Sequence, residues 1–275
     1  MVAATNIGNI STLSLVSMMI SAALSILVPI ILVIILGIRR RMNWKAMLTG
    51  AGLFIVFVLI LERLMHTAVL GRSSIASVLL ENKWIYMLYA GFAAGIFEET
   101  ARLLGFRFLV RVSENESIDT GISYGLGHGG IESIIIVGLS NISNIAAAFM
   151  HNSGVLDSVR STLSGAEQEL LDQQIRALAT TPPYEFLVSG FERMVALVLQ
   201  VSMSLFVLKA VSQKKWHYFV FSILIHAGVD IIAVHYGLQV ITDLFAVEII
   251  LAVIAILVAV VAFRSYRGRE KMQSE

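Results

Sequence analysis

Residues 12–37 read TLSLVSMMISAALSILVPIILVIILG, a run without a single charged side chain. At a rise of about 1.5 Å per residue, a helix of this length crosses a hydrocarbon core about 30 Å thick. The run is too long, and too far from a basic start, to read as a cleaved signal peptide. It stops at Arg39, Arg40, Arg41 and Lys45, as a span does where it meets water. Similar apolar runs recur to the end of the chain, and 57% of the 275 residues are hydrophobic while 14% are charged. Soluble domains carry about 25% charged residues, so two soluble domains are excluded in favour of one polytopic helical bundle. Cysteine is absent, which excludes a disulfide framework, thiolate metal sites and cysteine-protease chemistry.

Hydropathy places seven spans, at about 12–37, 46–70, 84–110, 120–149, 184–209, 216–236 and 241–263. The fourth is long enough to be tilted or broken. A polar segment, 151–183, separates the fourth and fifth, and its Ser164 with Glu167 reads as a capping box for a short helix that would lie outside, over the bundle. With the amino terminus outside and the carboxyl terminus cytoplasmic, thirteen of the twenty Lys and Arg residues fall on the inner side and four on the outer. That bias is the positive-inside pattern. Trp84, Tyr184, Trp216 and Tyr236 fit an interfacial aromatic belt. His151, His217 and His235 lie near span ends and read as solvated. The expected fold is all-α, a single integral membrane domain over 1–275 without internal repeats, in the plasma membrane of a bacterium.

Against that background the segment GIFEETARLLG, 95–105, is anomalous, because it puts Glu98, Glu99 and Arg102 inside a span. An ionisable residue in a membrane helix costs about 2.5–3.5 kcal/mol on insertion scales and marks function by default. Two further segments behave alike. In SYGLGHGGIES, 123–133, His128 stands four residues before Glu132, and in LIHAGVD, 224–230, His226 stands four before Asp230. That spacing puts each pair on one helix face, where the ring N–H can reach the carboxylate. Counting from the cytoplasmic ends, Arg102, His128, His226 and Gln200 sit at one level, about 13–15 Å deep. Glu98, Glu99, Glu132 and Asp230 lie about one turn deeper.

Paired carboxylates with two histidines suggest hydrolysis. One glutamate can take a proton from water and return it to a leaving amine while Arg102 neutralises the other. Histidines or a carboxamide can donate to the oxyanion. Neither a GxSxG elbow nor HExxH is present. The bland readings are a structural ion pair on the third span and hydrogen-bonded packing pairs at His128–Glu132 and His226–Asp230. Gln200 serves equally as a contact to a substrate carbonyl or as helix glue. Glu62, Arg63 and His66 with Glu192 and Arg193 read as inter-helix ion pairs between the second and fifth spans. Gly91, Gly95, Gly125, Gly127, Gly129 and Gly130 read as close-packing positions, since no P-loop lysine accompanies them.

Taken in order, Glu98-Glu99 with Arg102, Tyr124 four before His128, and His226 four before Asp230 resemble the EExxxR, FxxxH and HxxxN/D motifs of the CAAX-processing and bacteriocin-immunity superfamily of intramembrane proteases. Within it the GLGHGGIE and FER segments look most like the YhfC-type intramembrane metalloproteases, with the PrsW-type proteases a neighbouring branch. The resemblance covers about 46–236. It implies that Glu98 activates water, that Glu99 and Arg102 position it, and that His128 binds the water or a metal. His226 and Asp230 would polarise the scissile carbonyl or complete a metal site. His128 and His226 with Glu98 or Glu99 could hold zinc and leave one position for water, and the same groups could work without metal. Glu132 and Gln200 are the expected substrate contacts. The arginine follows the acidic pair after two residues instead of three, and Tyr124 replaces phenylalanine.

The leading expectation is an intramembrane endopeptidase acting on a peptide or membrane-protein substrate within the lipid bilayer, with no nucleic-acid partner. A proton- or ion-coupled transporter using the same carboxylates, and a catalytically silent immunity or scaffold protein, are the alternatives.

Overall fold

The apolar runs of the sequence form long helices, joined by short connections, in a computed structural model that describes residues 7–113 and 117–273. Among the described residues there is no strand. In chain order the helices are α1 (Thr12–Ile38), α2 (Trp44–Phe54), α3 (Arg63–Leu70), α4 (Ser73–Glu81), α5 (Lys83–Ser113), α6 (Ile118–Ser133), α7 (Ser140–Asn152), α8 (Val155–Arg160), α9 (Gly165–Thr180), α10 (Pro183–Gln213), α11 (His217–Gly237) and α12 (Leu244–Gln273). Among the described residues, six helical stretches are long and apolar enough to cross a membrane: Thr12–Ile38, Trp44–Leu70, Ile118–Asn152, Pro183–Ser212, His217–Gly237 and Leu244–Tyr266. The remaining expected span is α5, a 31-residue helix whose middle carries Glu98, Glu99 and Arg102. Outward side chains such as Ile249, Ile256 and Leu257 are 60–64% exposed, a surface suited to lipid and not to water.

Two of the expected spans contain π-helical turns. Ile55–Glu62 links α2 to α3, and Ile134–Leu139 links α6 to α7, so the long fourth span bulges at its centre without breaking. The segment 151–183 holds two helices, α8 and α9, where the sequence signalled one. Glycine at 154 turns the chain between α7 and α8 with φ of 74°, a left-handed conformation that costs glycine nothing. At the start of α9 the expected capping box forms: the Glu167 carboxylate accepts the Ser164 amide at 2.9 Å and the Ser164 side chain accepts the Glu167 amide, while the Ser164 hydroxyl also donates to the carboxylate at 2.7 Å. These bonds hold the Glu167 carboxyl below the usual carboxylate range. Of the charges counted for orientation, Arg111, Arg267, Arg269 and Lys271 lie outside the residues whose side chains are described.

The chain divides into two compact units. The first, Met1–Pro29 with Ser133–Met194, has an apolar core built from Ile10, Leu15, Met18, Ala148, Leu156, Ile175 and Leu178. A line of buried serines on α1 supplies its polar contacts: the Ser21 and Ser189 hydroxyls meet at 3.1 Å, Asn141 donates to Ser21, and Ser133 donates to the Ser25 carbonyl. The second unit, Ile30–Glu132 with Val195–Glu275, packs around Phe106, Tyr124, Met203, Leu205 and Phe206. The Tyr266 hydroxyl of α12 donates to the Leu205 carbonyl at 3.0 Å. Glu98, Glu99, Arg102, His128, Glu132, Gln200, His226 and Asp230 all lie in this second unit.

Candidate functional site

Small residues bring the site's helices together. A Cβ added at Gly91 would lie 2.7 Å from the Ala227 carbonyl oxygen, and one at Gly95 3.1 Å from that of Ile223. A larger residue at either position would push α11 off α5. On α6, Gly127 faces the Met47 backbone and Gly129 faces Gln200 of α10. The close-packing role expected of Gly91, Gly95, Gly125, Gly127 and Gly129 is therefore what is observed.

Across these contacts the polar residues of α5, α6, α10 and α11 meet. Glu98 Oε2 lies 2.8 Å from His128 Nε2, accepts Gln200 Nε2 at 3.1 Å and Arg102 Nη2 at 3.4 Å, and lies 3.7 Å from His226 Nε2. Glu99 Oε1 accepts Arg102 Nη1 and lies 2.8 Å from His226 Nδ1, while its Oε2 accepts the Ser222 hydroxyl at 2.6 Å. Gln200 is the hub between helices: its amide nitrogen also donates to Glu132 at 2.5 Å, and its oxygen accepts from Arg102. Asp230 Oδ2 lies 3.5 Å from His226 Nε2. Glu99, Arg102 and His128 are fully buried, and Glu98, Glu132, Gln200 and His226 nearly so.

The two glutamates are not equivalent. All the hydrogen bonds to Glu98 fall on Oε2, so Oε1 has no protein partner among the described residues. Both oxygens of Glu99 are occupied. Arg102 resolves its irregular spacing by using both geometries, i+3 to Glu99 and i+4 to Glu98.

Several local expectations change. His128 reaches across to Glu98 instead of down its own helix to Glu132, and Glu132 takes the Gln200 amide. The carboxamide of Gln200 is engaged by Glu98, Glu132 and Arg102, which suits helix bridging better than a waiting substrate contact. Tyr124 does more than stand in for phenylalanine: its hydroxyl donates to the Ala101 carbonyl at 3.1 Å, tying α6 to the turn that carries Arg102. Glu62 pairs with His66 on its own helix at 3.3 Å, and Arg193 pairs with the adjacent Glu192 at 2.5 Å. Ser222 escaped the sequence reading, although it stands four residues before His226 and so shares a face with His226 and Asp230.

The donor set tests for a metal. Glu98, His128 and Glu132 can each offer one ligand atom, with all three atoms within 4.8 Å of one another. His128 Nδ1 is buried without a hydrogen-bond partner, a rare condition for a ring nitrogen unless a ligand or a functional role uses it. One imidazole nitrogen and two carboxylates form a donor set compatible with a metal ion. His226, which the sequence reading paired with His128 as a ligand, lies 2.8 Å from Glu99, 3.5 Å from Asp230 and 3.7 Å from Glu98 and stands outside this group of three.

Comparison with known proteins agrees with the motifs. The profile of the YhfC intramembrane metalloprotease family matches residues 24–251. The chain is 36% identical over 248 residues to the uncharacterized membrane protein YhfC of Bacillus subtilis (strain 168), covering 90% of this chain and 95% of that one. No solved structure matches. A match spanning the site and nearly all of the helices leaves one conclusion: this multi-pass membrane protein belongs to the YhfC intramembrane metalloprotease family.

Proposed function

We propose that the protein is an intramembrane endopeptidase in which Glu98 activates the hydrolytic water. The observation that carries this reading is the asymmetry of the acidic pair: Glu98 keeps Oε1 for water, while Glu99 is saturated by Arg102, Ser222 and His226. In the proposed sequence Glu98 Oε1 accepts a proton as the water oxygen attacks the scissile carbonyl carbon. The tetrahedral oxyanion takes a hydrogen bond from His226, and Glu98 then returns its proton to the amine nitrogen as the C–N bond breaks. Glu99 holds His226 through Nδ1 and so fixes which ring nitrogen faces the reaction, and Arg102 balances the charge of the pair. His128 and Gln200 hold Glu98 in place through Oε2. Glu98, His128 and Glu132 would hold a divalent metal, which when bound supplies Lewis-acid polarisation and a more nucleophilic water.

Cells producing the wild type, Glu98→Gln or Glu99→Gln at equal membrane levels provide the test, with new protein amino termini read by mass spectrometry. Cleavage products that vanish with Glu98→Gln support the reading; products that persist in folded Glu98→Gln overturn it. Ion flux into liposomes that the same change abolishes, in the absence of any cleavage, would instead assign the carboxylates to coupled transport.

A further inference from the structure

Glu62 is a buried carboxyl with no part in the chemistry above. It closes the π-helical stretch Ile55–Glu62, a distortion that recurs at functional positions in helices. It is 8% exposed, and its Oε2 has no hydrogen-bond partner. A structural carboxyl would not keep half of its acceptors unsatisfied in a bilayer, where each such group carries a desolvation cost. Its π-helical stretch packs against α5, and α5 packs against α11, so Glu98 on α5 and Asp230 and His226 on α11 lie within electrostatic reach of it.

On its other side Glu62 begins a chain of proton carriers. Its Oε1 lies 3.3 Å from His66 Nε2, and His66 Nδ1 lies 2.6 Å from the Tyr89 hydroxyl. The two rings meet edge to face at 5.3 Å. The Tyr89 hydroxyl also contacts Met65 Sδ at 3.3 Å, and Tyr86 is the other titratable group beside it. His66 stands four residues before the end of α3, and Tyr89 six after the start of α5. Both are thus within about two turns, roughly 9 Å, of the membrane face where α3 ends and α5 begins. The His66 side chain is 33% exposed, while that of Glu62 is 10%.

We propose that Tyr89, His66 and Glu62 form a proton-exchange branch between that membrane face and the site of Glu98, His226 and Asp230. A proton moves from the Tyr89 hydroxyl to His66 Nδ1, and His66 Nε2 gives its own to Glu62 Oε1. Hydronium at the face reprotonates the Tyr89 oxygen and leaves as water. The stretch that ends in Glu62 packs against α5, which carries Glu98, so the branch runs to the helix whose groups the hydrolytic reading uses. The role as a branch of an active site rests on that reading; the exchange itself does not.

Dicyclohexylcarbodiimide, an apolar reagent that adds to protonated buried carboxyl groups, tests it on the full chain in liposomes, with adducts located by mass spectrometry and no substrate needed. Glu62 should be labelled, faster as the pH at the α3–α5 face is lowered. Tyr89→Phe and His66→Phe should slow the labelling by about tenfold, the scale of one lost hydrogen bond, while circular dichroism stays that of the wild type. A Glu62 that is never labelled overturns the proposal. So does labelling indifferent to pH at that face, or indifferent to both substitutions in folded protein. Labelling as expected in a protein that cleaves nothing would overturn only the protease reading.

Discussion

Arg102→Met should be among the most damaging single changes in the chain. The guanidinium is completely buried and donates to Glu99, Glu98 and Gln200. Hydrogen bonds to charged groups are worth about 1.5–3 kcal/mol each, so three set an upper bound of about 4.5–9 kcal/mol. Part is recovered, because His226 and Ser222 still serve Glu99 and His128 still serves Glu98. What remains is the cost of leaving buried charge uncompensated, about 3–5 kcal/mol, or roughly two to four orders of magnitude in the folding equilibrium. Methionine fills similar space, so a cavity contributes little. Adding Glu99→Gln to Arg102→Met removes the stranded charge and should recover part of the loss, a coupling of about 0.5–3 kcal/mol. Arg102→Lys should fall between, since an ammonium keeps the charge but not the planar fork. Reversible unfolding in mixed micelles, followed by tryptophan fluorescence, measures the wild type, Arg102→Met, Arg102→Lys, Glu99→Gln and the double variant. An Arg102→Met protein within about 0.5 kcal/mol of wild type, the scale of a neutral surface change, would refute the description of this layer. Strict additivity in the double variant would refute the pairing with Glu99.

Other consequences are separable. Gly127→Ala should destabilise by about 1–3 kcal/mol or prevent folding, because its Cβ would meet the Met47 backbone, which cannot rotate away. Gly228→Ala meets nothing within 4 Å and should stabilise α11 by about 0.5–1 kcal/mol in the same unfolding assay. Zinc content of the purified protein, measured by elemental analysis, should fall in His128→Ala and Glu132→Gln and hold in Asp230→Asn; retention in all three would dismiss the Glu98–His128–Glu132 set. At Glu167 the folded carboxyl lies below its ordinary value of 4.5, so its contribution to α9 is present above that value and is lost as pH falls through the folded one. Amide exchange in the first turn of α9 should therefore quicken on acidification below 4.5 in wild type, and be fast and pH-independent in Glu167→Gln beyond the intrinsic exchange rate.

The membrane class was legible at once, because an uncharged run such as 12–37 has few soluble homes. The shared depth of Arg102, His128, Gln200 and His226 was also legible, since helix rise is fixed and every count starts at an interface. What the sequence withheld was rotation about each helix axis. The i, i+4 pattern shows that His128 and Glu132 share a face but not whether that face turns on itself or toward α5; in the structure it turns to Glu98. Rotation was also beyond reach for Glu62, which precedes Arg63 in the chain and invites a reading as an ion pair. The π-helical stretch before it leaves no periodic mark in an all-apolar run such as IVFVLIL. Ser222 was missed for another reason: serines are common in membrane helices as local hydrogen-bonders, so only a partner in space distinguishes it.

The adjacent acids illustrate how neighbours divide labour between chemically identical groups. Consecutive residues on a helix point about 100° apart, so Glu98 and Glu99 cannot face the same surroundings. Glu99 turns toward α11 and meets Ser222 and His226; Glu98 turns toward α6 and α10 and meets His128 and Gln200. Arg102 lies one turn on, between both directions, and serves as the shared counter-charge. Both oxygens of Glu99 are taken by the bonds that fix it, whereas those of Glu98 share one oxygen. Exchanging the pair's roles would require moving the donors on three other helices, which is why Glu98→Gln should remove chemistry while Glu99→Gln should loosen the scaffold around it.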